Sequence, residues 1–255
     1  GILVAENGNS LLESILVNTI NNFVAEKVTA DDFTVVDEDR DINIIGVVKG
    51  ELLTEKLVGR AKSVKSTSQQ DYKSTSRDAK TQGYRVKSLT ANVQSSSFNL
   101  VSDVENDILK IAVINRYEKK KPAVAFIKGF GLKKGALASS VAHDSHNVIV
   151  IGCDDESMAM AANMIIENKG GFAVYADDVK MCLPLPVAGI MTNEDAFKVA
   201  ADYQRVKDLS KTLGSTLSDP FMTMEFMALL VIPKLKLSDK GLFDCEKFEL
   251  ISMYN

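Results

Sequence analysis

The chain carries both of its histidines within one short segment, Ser139-Ser140-Val141-Ala142-His143-Asp144-Ser145-His146-Asn147. Imidazole donates or accepts a proton near neutral pH, and in its neutral form it binds zinc, iron or manganese. Asp144, Ser145 and Asn147 add hydrogen-bonding groups that suit a polar heterocycle. If this chain performs acid–base chemistry or binds a transition metal through imidazole, the sequence places that chemistry here.

Three interpretations of this segment stay open. The first is a substrate site lined by His143, Asp144, Ser145, His146 and Asn147, because these side chains can donate to and accept from a small polar ligand. The second is a turn with a structural role alone. The third is a metal site with His143 and His146 as ligands, which ranks last because such sites use three or more protein donors. The first is favoured, and no metal is expected in this chain.

The elements that position the histidines follow from the pattern of apolar residues. Strand-like runs at residues 137–142 and 147–152 flank them, so Asp144-Ser145 is predicted to form a tight turn. Other strand candidates are residues 42–48, 108–114, 124–127, 172–175 and 179–183. Helices are predicted to begin at Asp154 or Asp155, at a capping box of Thr192 with Asp195, and at Asp219-Pro220. This pattern predicts a mixed α/β (α+β) fold with helices packed on β-sheets in layers and no TIM barrel.

Two parts of the chain depart from this pattern. Residues 2–5 read as a strand that ends at the turn signal Glu6-Asn7-Gly8, and the apolar spacing from Leu11 to Ile20 predicts a short helix. Residues 61–97 are rich in serine, threonine, lysine and glutamine, and they are predicted to form a mobile excursion or a polar hairpin.

Composition limits the classes of partner. The net charge is −4, so the chain as a whole does not attract nucleic acid or an anionic bilayer. Its apolar runs fall short of the roughly 20 residues that a membrane helix needs. Its three cysteines lack Cys-x-x-Cys spacing, which argues against a disulfide framework and a zinc ribbon. We therefore expect a cytoplasmic protein that binds small molecules or protein surfaces, with no nucleic acid and no membrane.

A glycine- and lysine-rich segment precedes the histidines, Lys128-Gly129-Phe130-Gly131-Leu132-Lys133-Lys134-Gly135. Glycine amides and lysine side chains can together hold an anion. The spacing differs from that of a phosphate-binding loop, however, so a turn with solvated lysines is favoured. Lys128 is kept as a further candidate for the substrate site.

A longer match covers this segment and the histidines together. The stretch from Phe126 to Asn147, FIKGFGLKKGALASSVAHDSHN, is similar to the carboxy-terminal domain of bacterial adenine deaminases. Further similar stretches follow or precede it in the same order, namely DILKIAVI at 107–114, LPLPVAGIM at 183–191, DPFMT at 219–223, VIPKLKL at 231–237 and DKGLFD at 239–244. The resemblance covers nearly all of the chain except the serine-rich stretch.

The resemblance implies a division of the chain and a missing partner. Adenine deaminases of this family are amidohydrolases, in which a β/α barrel holds manganese or iron and hydrolyses adenine to hypoxanthine and ammonia. The barrel's histidine and aspartate ligands are not found in this sequence. Residues 1–25 then resemble the end of the small sheet domain that flanks the barrel, with a linker, and residues 26–255 resemble the carboxy-terminal domain. The start without methionine agrees with a piece of a longer protein.

The expected function therefore comes from the resemblance, because the sequence does not contain a complete active site. The first hypothesis is that the turn from His143 to Asn147 helps to complete or close the adenine site of a barrel in the same protein, and that this chain is inactive alone. The first alternative is a non-enzymatic module for purine binding or oligomerisation, and a homo-oligomer stays open. The second alternative is a self-sufficient metalloenzyme built on His143 and His146.

Overall fold

The computed structural model describes residues 1–13, 19–66 and 97–255 of the chain. The strands of the first half, in chain order, are β1 (Ala5–Glu6), β2 (Asn9–Ser10), β3 (Val35–Val36), β4 (Ile42–Val47), β5 (Thr54–Gly59), β6 (Lys62–Lys65), β7 (Phe98–Val101), β8 (Ile108–Ile114) and β9 (Ala123–Lys128). Those of the second half are β10 (Ala136–Ser139), β11 (Val148–Gly152), β12 (Gly171–Ala176), β13 (Val179–Pro184), β14 (Leu235–Ser238), β15 (Gly241–Asp244) and β16 (Glu249–Leu250).

The helices lie mostly in the second half of the chain. They are α1 (Asp155–Glu167), α2 (Ala196–Thr212) and α3 (Pro220–Glu225), with 3-10 turns at Ala30–Phe33 and Phe226–Ala228. Within residues 1–13, 19–66 and 97–255, every helix is too short or too polar to cross a membrane.

An eight-stranded sheet carries most of the chain. Its strand order is β13-β12-β10-β11-β8-β9-β4-β5, and each pair is antiparallel except the parallel pair of β4 with β9. Smaller antiparallel sheets have the orders β3-β7-β6 and β14-β15-β16, and β1 pairs with β2. The described sheets do not close into a barrel, so the predicted fold class is confirmed.

Helices cover both faces of the large sheet. Side chains alternate between the two faces of a strand, and on β8 Ile111 faces one core while Ala112 faces the other. Helix α1 packs on the face of Ala112, whereas α2, α3 and β14 pack on the face of Ile111. The result is a layered α/β domain with apolar cores on both sides of one sheet.

An aspartate is the N-cap of each of the three α-helices, and the sequence predicts two of these caps. The side chain of Asp154 accepts from the amide of Ser157, and that of Asp219 accepts from the amide of Met222. At α2 the predicted capping box is wrong, because Asp195 itself is the N-cap and accepts from the amide of Lys198. Thr192 lies outside the helix, since its hydroxyl already accepts from the amide of Glu194 in the preceding turn.

The amino terminus differs from its prediction. Asn7 and Gly8 have positive φ values of 51° and 81°, which suit a two-residue hairpin turn. Strands β1 and β2 therefore pair, and the amide of Leu11 donates to the carbonyl of Val4. The predicted helix is wrong where the structure describes it, at residues 11–13 and 19–20, and residues 14–18 lie outside the description. Most of the predicted polar stretch at 61–97 is likewise outside it, although Lys62–Lys65 form β6.

Residues that lead into the domain pack against it. The side-chain amide of Asn21 donates to the carbonyls of Lys169, at 2.6 Å, and Pro186, at 3.0 Å. The amides of Val24 and Ala25 both donate to the carbonyl of Arg116. The division of the chain at residue 25 stays a prediction.

The glycine- and lysine-rich segment binds a carboxylate of this chain. The two oxygens of Asp107 accept from the amides of Gly129, at 3.1 Å, and Gly131, at 2.7 Å. Both glycines have positive φ values, 111° and 74°, which side chains rarely adopt. These amides are therefore engaged within the fold, in agreement with the turn interpretation of the segment.

Replacement of Asp107 by asparagine is expected to lower the free energy of unfolding by about 1–2 kcal/mol, because one of two charge-assisted acceptors is lost. Asparagine tolerates the positive φ of 55° at this position, so the change isolates the carboxylate. Urea denaturation measures the effect. The matched control is Asp177→Asn at an exposed turn, where a change within about 0.5 kcal/mol is expected. Equal stability of the two variants would refute this role of Asp107.

Candidate functional site

The histidine segment forms the connection between β10 and β11, as predicted. These neighbouring antiparallel strands end and begin at Ser139 and Val148, so the turn lies at one end of the large sheet. The amide of His146 donates to the carbonyl of Ala142 at 2.7 Å, and His146 has a positive φ of 52°. The sheet thus holds both imidazoles within one tight turn.

A buried arginine fixes this turn from the end of the adjacent strand. Arg116 follows β8 and is 5% exposed, and its amide donates to the side-chain carbonyl of Asn147 at 3.1 Å. Its guanidinium group donates to the hydroxyl of Tyr117 and to the carbonyl of Ala188, both at 2.7 Å. The Tyr117 hydroxyl in turn donates to the carbonyl of Ser145 at 2.9 Å. Hydrogen bonds therefore connect Arg116 to Asn147 directly and to Ser145 through Tyr117.

The surroundings of His146 favour its neutral imidazole form. Burial lowers its pKa, and the nearby positive charges of His143 and Arg116 lower that pKa further. Its Nδ1 atom is buried and has no hydrogen-bond partner among the described residues. The neutral ring therefore carries one nitrogen that can accept and one that can donate.

The His143 side chain is partly buried, with 33% of its surface exposed. The ring centroids of His143 and His146 are 5.4 Å apart, and the two rings meet edge to face. The end of α3 contacts His143 from the other side, because the Phe226 ring lies 5.0 Å away and the Glu225 carbonyl accepts from the His143 amide at 3.2 Å. Both imidazoles thus converge at one end of the sheet.

Glu225 brings a buried carboxyl group to His143. Its Oε2 atom lies 4.0 Å from His143 Nε2, and its side chain is 8% exposed. Burial raises the pKa of Glu225 to about 8, and the negative charge of Asp219 raises it as well. The raised pKa therefore favours the protonated, uncharged form of the Glu225 carboxyl group near neutral pH.

Replacement of Glu225 by glutamine is expected to change how stability depends on pH. Because the folded-state pKa of about 8 exceeds the ordinary value of 4.5, the folded chain binds a proton between those values that the unfolded chain lacks. Its free energy of unfolding should therefore fall as pH rises through that window. One pKa unit corresponds to about 1.4 kcal/mol, so the ceiling is about 5 kcal/mol.

Urea denaturation at about pH 5 and about pH 8.5 measures this effect. We expect the decrease in stability between the two pH values to be at least about 2 kcal/mol larger in the parent chain than in Glu225→Gln. Parallel pH dependence in both proteins would show that this carboxyl group is not buried in a high-pKa state.

The structure does not bring all of the predicted site residues together. His143, Asp144, Ser145, His146 and Asn147 share the turn, with Asn147 buried and Asp144 and Ser145 exposed. Lys128 lies at the opposite end of the sheet, because it pairs with Ile108 whereas the turn adjoins Ile114. The six residue-to-residue steps from Ile108 to Ile114 span about 20 Å at about 3.3 Å per residue. A role of Lys128 in substrate binding stays a prediction.

A metal centre does not fit the residues that the structure describes. These residues contain no group of three or more histidine, cysteine, aspartate or glutamate side chains that could hold an ion. The whole chain has two histidines. Within the part of the chain that the structure describes, His143 and His146 therefore lack the third donor that a protein metal site needs.

Three residues of the site were missed in the sequence: Arg116, Tyr117 and Glu225. Arg116 and Tyr117 closely follow a buried strand. A charged residue next to an aromatic residue at the end of such a strand is a signal of a functional site that the sequence already contains. Glu225 lies among apolar residues in the segment Phe221-Met222-Thr223-Met224-Glu225-Phe226-Met227, where a single acidic residue stands out. The sequence does not tell which turn these residues contact.

The fold and the turn together define a layered α/β domain that presents two imidazoles at one end of a mixed sheet. The family model described as the adenine deaminase C-terminal domain matches residues 85–249. The chain belongs to this family, which confirms the resemblance seen in the sequence.

Individual relatives agree with the family. An adenine deaminase of Salinibacter ruber is 40% identical over 256 residues, which cover 100% of this chain and 41% of the relative. One of Borreliella burgdorferi is 37% identical over 97% of this chain and 40% of its own length. One of a Sulfurovum species is 54% identical over 60% of this chain and 29% of the relative. The chain thus spans about two fifths or less of these relatives.

Proposed function

We propose that this chain is the carboxy-terminal part of an adenine deaminase, in which it helps to complete or close a site carried by an amidohydrolase barrel of the same polypeptide. The full enzyme would hydrolyse adenine to hypoxanthine and ammonia. The observation that carries the proposal is the 40% identity to the Salinibacter ruber adenine deaminase along the whole chain. The lack of a metal-binding group among the described residues supports a site that another domain completes.

The turn from His143 to Asn147 supplies the contacts in this proposal. Adenine offers ring nitrogens that accept hydrogen bonds and an amino group that donates them. The neutral His146 ring can accept and donate, and the exposed part of His143 can donate when it is protonated. These groups would orient the purine ring and exclude water other than the reacting molecule.

The metal belongs to the barrel in this proposal. Manganese or iron would activate the water molecule that attacks the purine carbon bearing the amino group. The described residues of this chain would act on the substrate and on the shape of the site, since they do not form a metal centre.

A purine-binding or oligomerisation module without catalysis is the second candidate. The missing third metal donor among the described residues favours it over a self-sufficient metalloenzyme. The two candidates differ in what the chain does within a longer polypeptide, because a pure binding module would leave adenine unchanged there too.

Hypoxanthine formation from adenine tests the proposal. The assay compares this chain alone with the full-length polypeptide that carries it, each supplied with Mn²⁺ or Fe²⁺. We expect hypoxanthine from the full-length polypeptide and none above the blank from the chain alone. Activity of the chain alone with stoichiometric bound metal would overturn the proposal in favour of a metalloenzyme, and an inactive full-length polypeptide that binds purine would favour the second candidate.

A further inference from the structure

We propose that the groove between α2 and β13 is the surface on which the barrel domain of the full-length polypeptide docks. The identity of that partner rests on the function proposed above, whereas the groove and its position are features of this chain. Neither the family match nor the relatives assign a role to this surface.

The groove lies beside the first half of α2, which packs loosely on the sheet. The buried residues of α2 are Val206 and Ser210, and both belong to its second half. Beside the first half is an open groove of about 440 Å³. Apolar and aromatic side chains form most of its walls, among them Phe172, Leu183, Leu185, Val199 and Tyr203.

Large apolar side chains are exposed at the rim of this groove. Phe197 is 86% exposed, and Met191, which precedes the groove residue Thr192, is 53% exposed. Phe197 lies three residues before Ala200, an exposed residue that lines the groove, and residues three apart are neighbours on a helix surface. An apolar groove with exposed apolar side chains at its edge is typical of an interaction surface, whereas scattered single residues are not.

The polar groups around the groove already have partners within the chain. The Tyr203 hydroxyl donates to Asp219 at 3.0 Å, and the Thr192 hydroxyl accepts from the Glu194 amide at 3.2 Å. Lys198 pairs with the Glu194 carboxylate at 3.0 Å. Small-molecule sites use a few free polar groups to orient the ligand, whereas protein interfaces have an apolar centre with a polar rim. The groove therefore suits the apolar face of a protein partner.

The groove lies at the same end of the sheet as the histidine turn. Phe172 pairs with Ser139, the last residue of β10 before the turn. The Phe172 ring also meets the Phe221 ring of α3 at 5.4 Å. Glu225 follows about 6 Å further along α3, and its carbonyl accepts from the His143 amide. A domain that presents a substrate to the turn therefore lies next to the groove.

The chain also enters the domain beside the groove. The Ile20 carbonyl accepts from the Ala188 amide at 2.6 Å, and the Asn21 side chain donates to the Pro186 carbonyl at 3.0 Å. The same loop, between β13 and α2, carries Leu185, which lines the groove. The chain covers 41% of the Salinibacter ruber relative, so about three fifths of that relative lies outside the match. A partner larger than this chain is thus expected in the full-length polypeptide, connected to it close to the groove.

The rate at which an introduced cysteine reacts with a maleimide tests the docking. Ala200→Cys places the thiol in the groove, and Asp177→Cys, in the exposed turn between β12 and β13, is the matched control. Burial raises the pKa of Cys153 and Cys182 to about 12 and that of Cys245 to about 11, so the native thiols react slowly. Peptide mass spectrometry separates them from the introduced cysteine.

The two cysteine variants are compared in this 255-residue chain and in the full-length polypeptide. In the chain alone we expect both thiols to react at similar rates. In the full-length polypeptide we expect Ala200→Cys to react at least about tenfold more slowly, because a packed interface excludes the reagent, and Asp177→Cys to react as before. Addition of Phe197→Asp should restore most of the Ala200→Cys rate, since docking would then bury a charge.

Equal reaction of Ala200→Cys in the two proteins would overturn the proposal. Protection that survives the Phe197→Asp change would also overturn it, because the apolar rim would then not form the contact. Protection in the chain alone that disappears on dilution would favour a second copy of this chain as the occupant.

Hypoxanthine formation in the same samples separates this inference from the proposed function. Deamination by a full-length polypeptide in which Ala200→Cys is unprotected would overturn the docking surface and leave the proposed function standing. Protection in a full-length polypeptide that does not deaminate adenine would support the docking surface and overturn the proposed function.

Discussion

Simultaneous replacement of His143 and His146 by alanine is expected to reduce kcat/KM for adenine about 100-fold in the full-length polypeptide. General acid–base and hydrogen-bonding groups at a reacting centre typically contribute factors of about 10²–10⁴. The two rings meet at 5.4 Å, so one could partly substitute for the other, and the double variant removes both. The measurement is steady-state release of hypoxanthine, accompanied by thermal unfolding to show that the fold is retained.

The matched control for the histidine variant is Lys180→Ala on β13. Lys180 is exposed and pairs with Tyr175, which adjoins Ala136 at the sheet end opposite to the turn. It should leave kcat/KM within about twofold. A folded double variant with the catalytic efficiency of the parent protein would show that the turn has no part in the reaction.

Replacement of Arg116 by methionine is expected to lower the free energy of unfolding by about 3 kcal/mol. The substitution keeps much of the apolar volume but removes the guanidinium bonds to Ala188 and Tyr117, both at 2.7 Å. Hydrogen bonds to charged groups contribute about 1.5–3 kcal/mol each, and the part-buried acceptors left behind lose their partner. Urea denaturation measures the loss, and we expect histidine resonances to broaden as the turn loosens.

Arg205→Met provides the control for Arg116. Arg205 lies on the exposed face of α2, where 72% of its side chain is accessible and it contacts Asp202 at 3.3 Å. Exposed ion pairs contribute little, so a change below about 1 kcal/mol is expected. If both methionine variants were equally stable, the network around Arg116 would not be what holds the turn.

Local rules predicted much of the fold. The alternation of apolar residues identified β8 and β11, because both strands are buried on two faces and rich in β-branched residues. Asp154 and Asp219 marked the starts of α1 and α3, since their side chains cap helix amides within three residues. The two strand-like runs on either side of Asp144-Ser145 likewise predicted the tight turn between β10 and β11.

Competing local signals explain the errors. The spacing from Leu11 to Ile20 suits a helix. The Asn7-Gly8 turn instead forms a hairpin, in which the Leu11 amide donates to the Val4 carbonyl. At α2, threonine and aspartate can both cap a helix, and Asp195 bonds the first helical amides directly. In each case two valid patterns overlapped, and hydrogen-bond geometry selected one of them.

The candidate site was only partly predictable because its supports are distant in sequence. The histidine turn is local, but Arg116 reaches it from 31 residues away through Asn147. Glu225 meets His143 only because α3 packs against β10 and β11. Lys128 illustrates the converse, since it is close to the histidines in sequence and lies at the other end of the sheet. Strand order, which decides these contacts, is not encoded in local spacing.

The most direct test asks whether the turn contacts the purine. The full-length polypeptide is assembled by ligation from an unlabelled amino-terminal part and this chain labelled at its two histidines, so that only His143 and His146 report. Their ring resonances are followed during titration with hypoxanthine, the reaction product, up to concentrations that inhibit deamination. We predict saturable shifts of both rings with the same midpoint as the inhibition. Unchanged resonances at full inhibition would contradict the account, because the product would then occupy the site without contact to this turn.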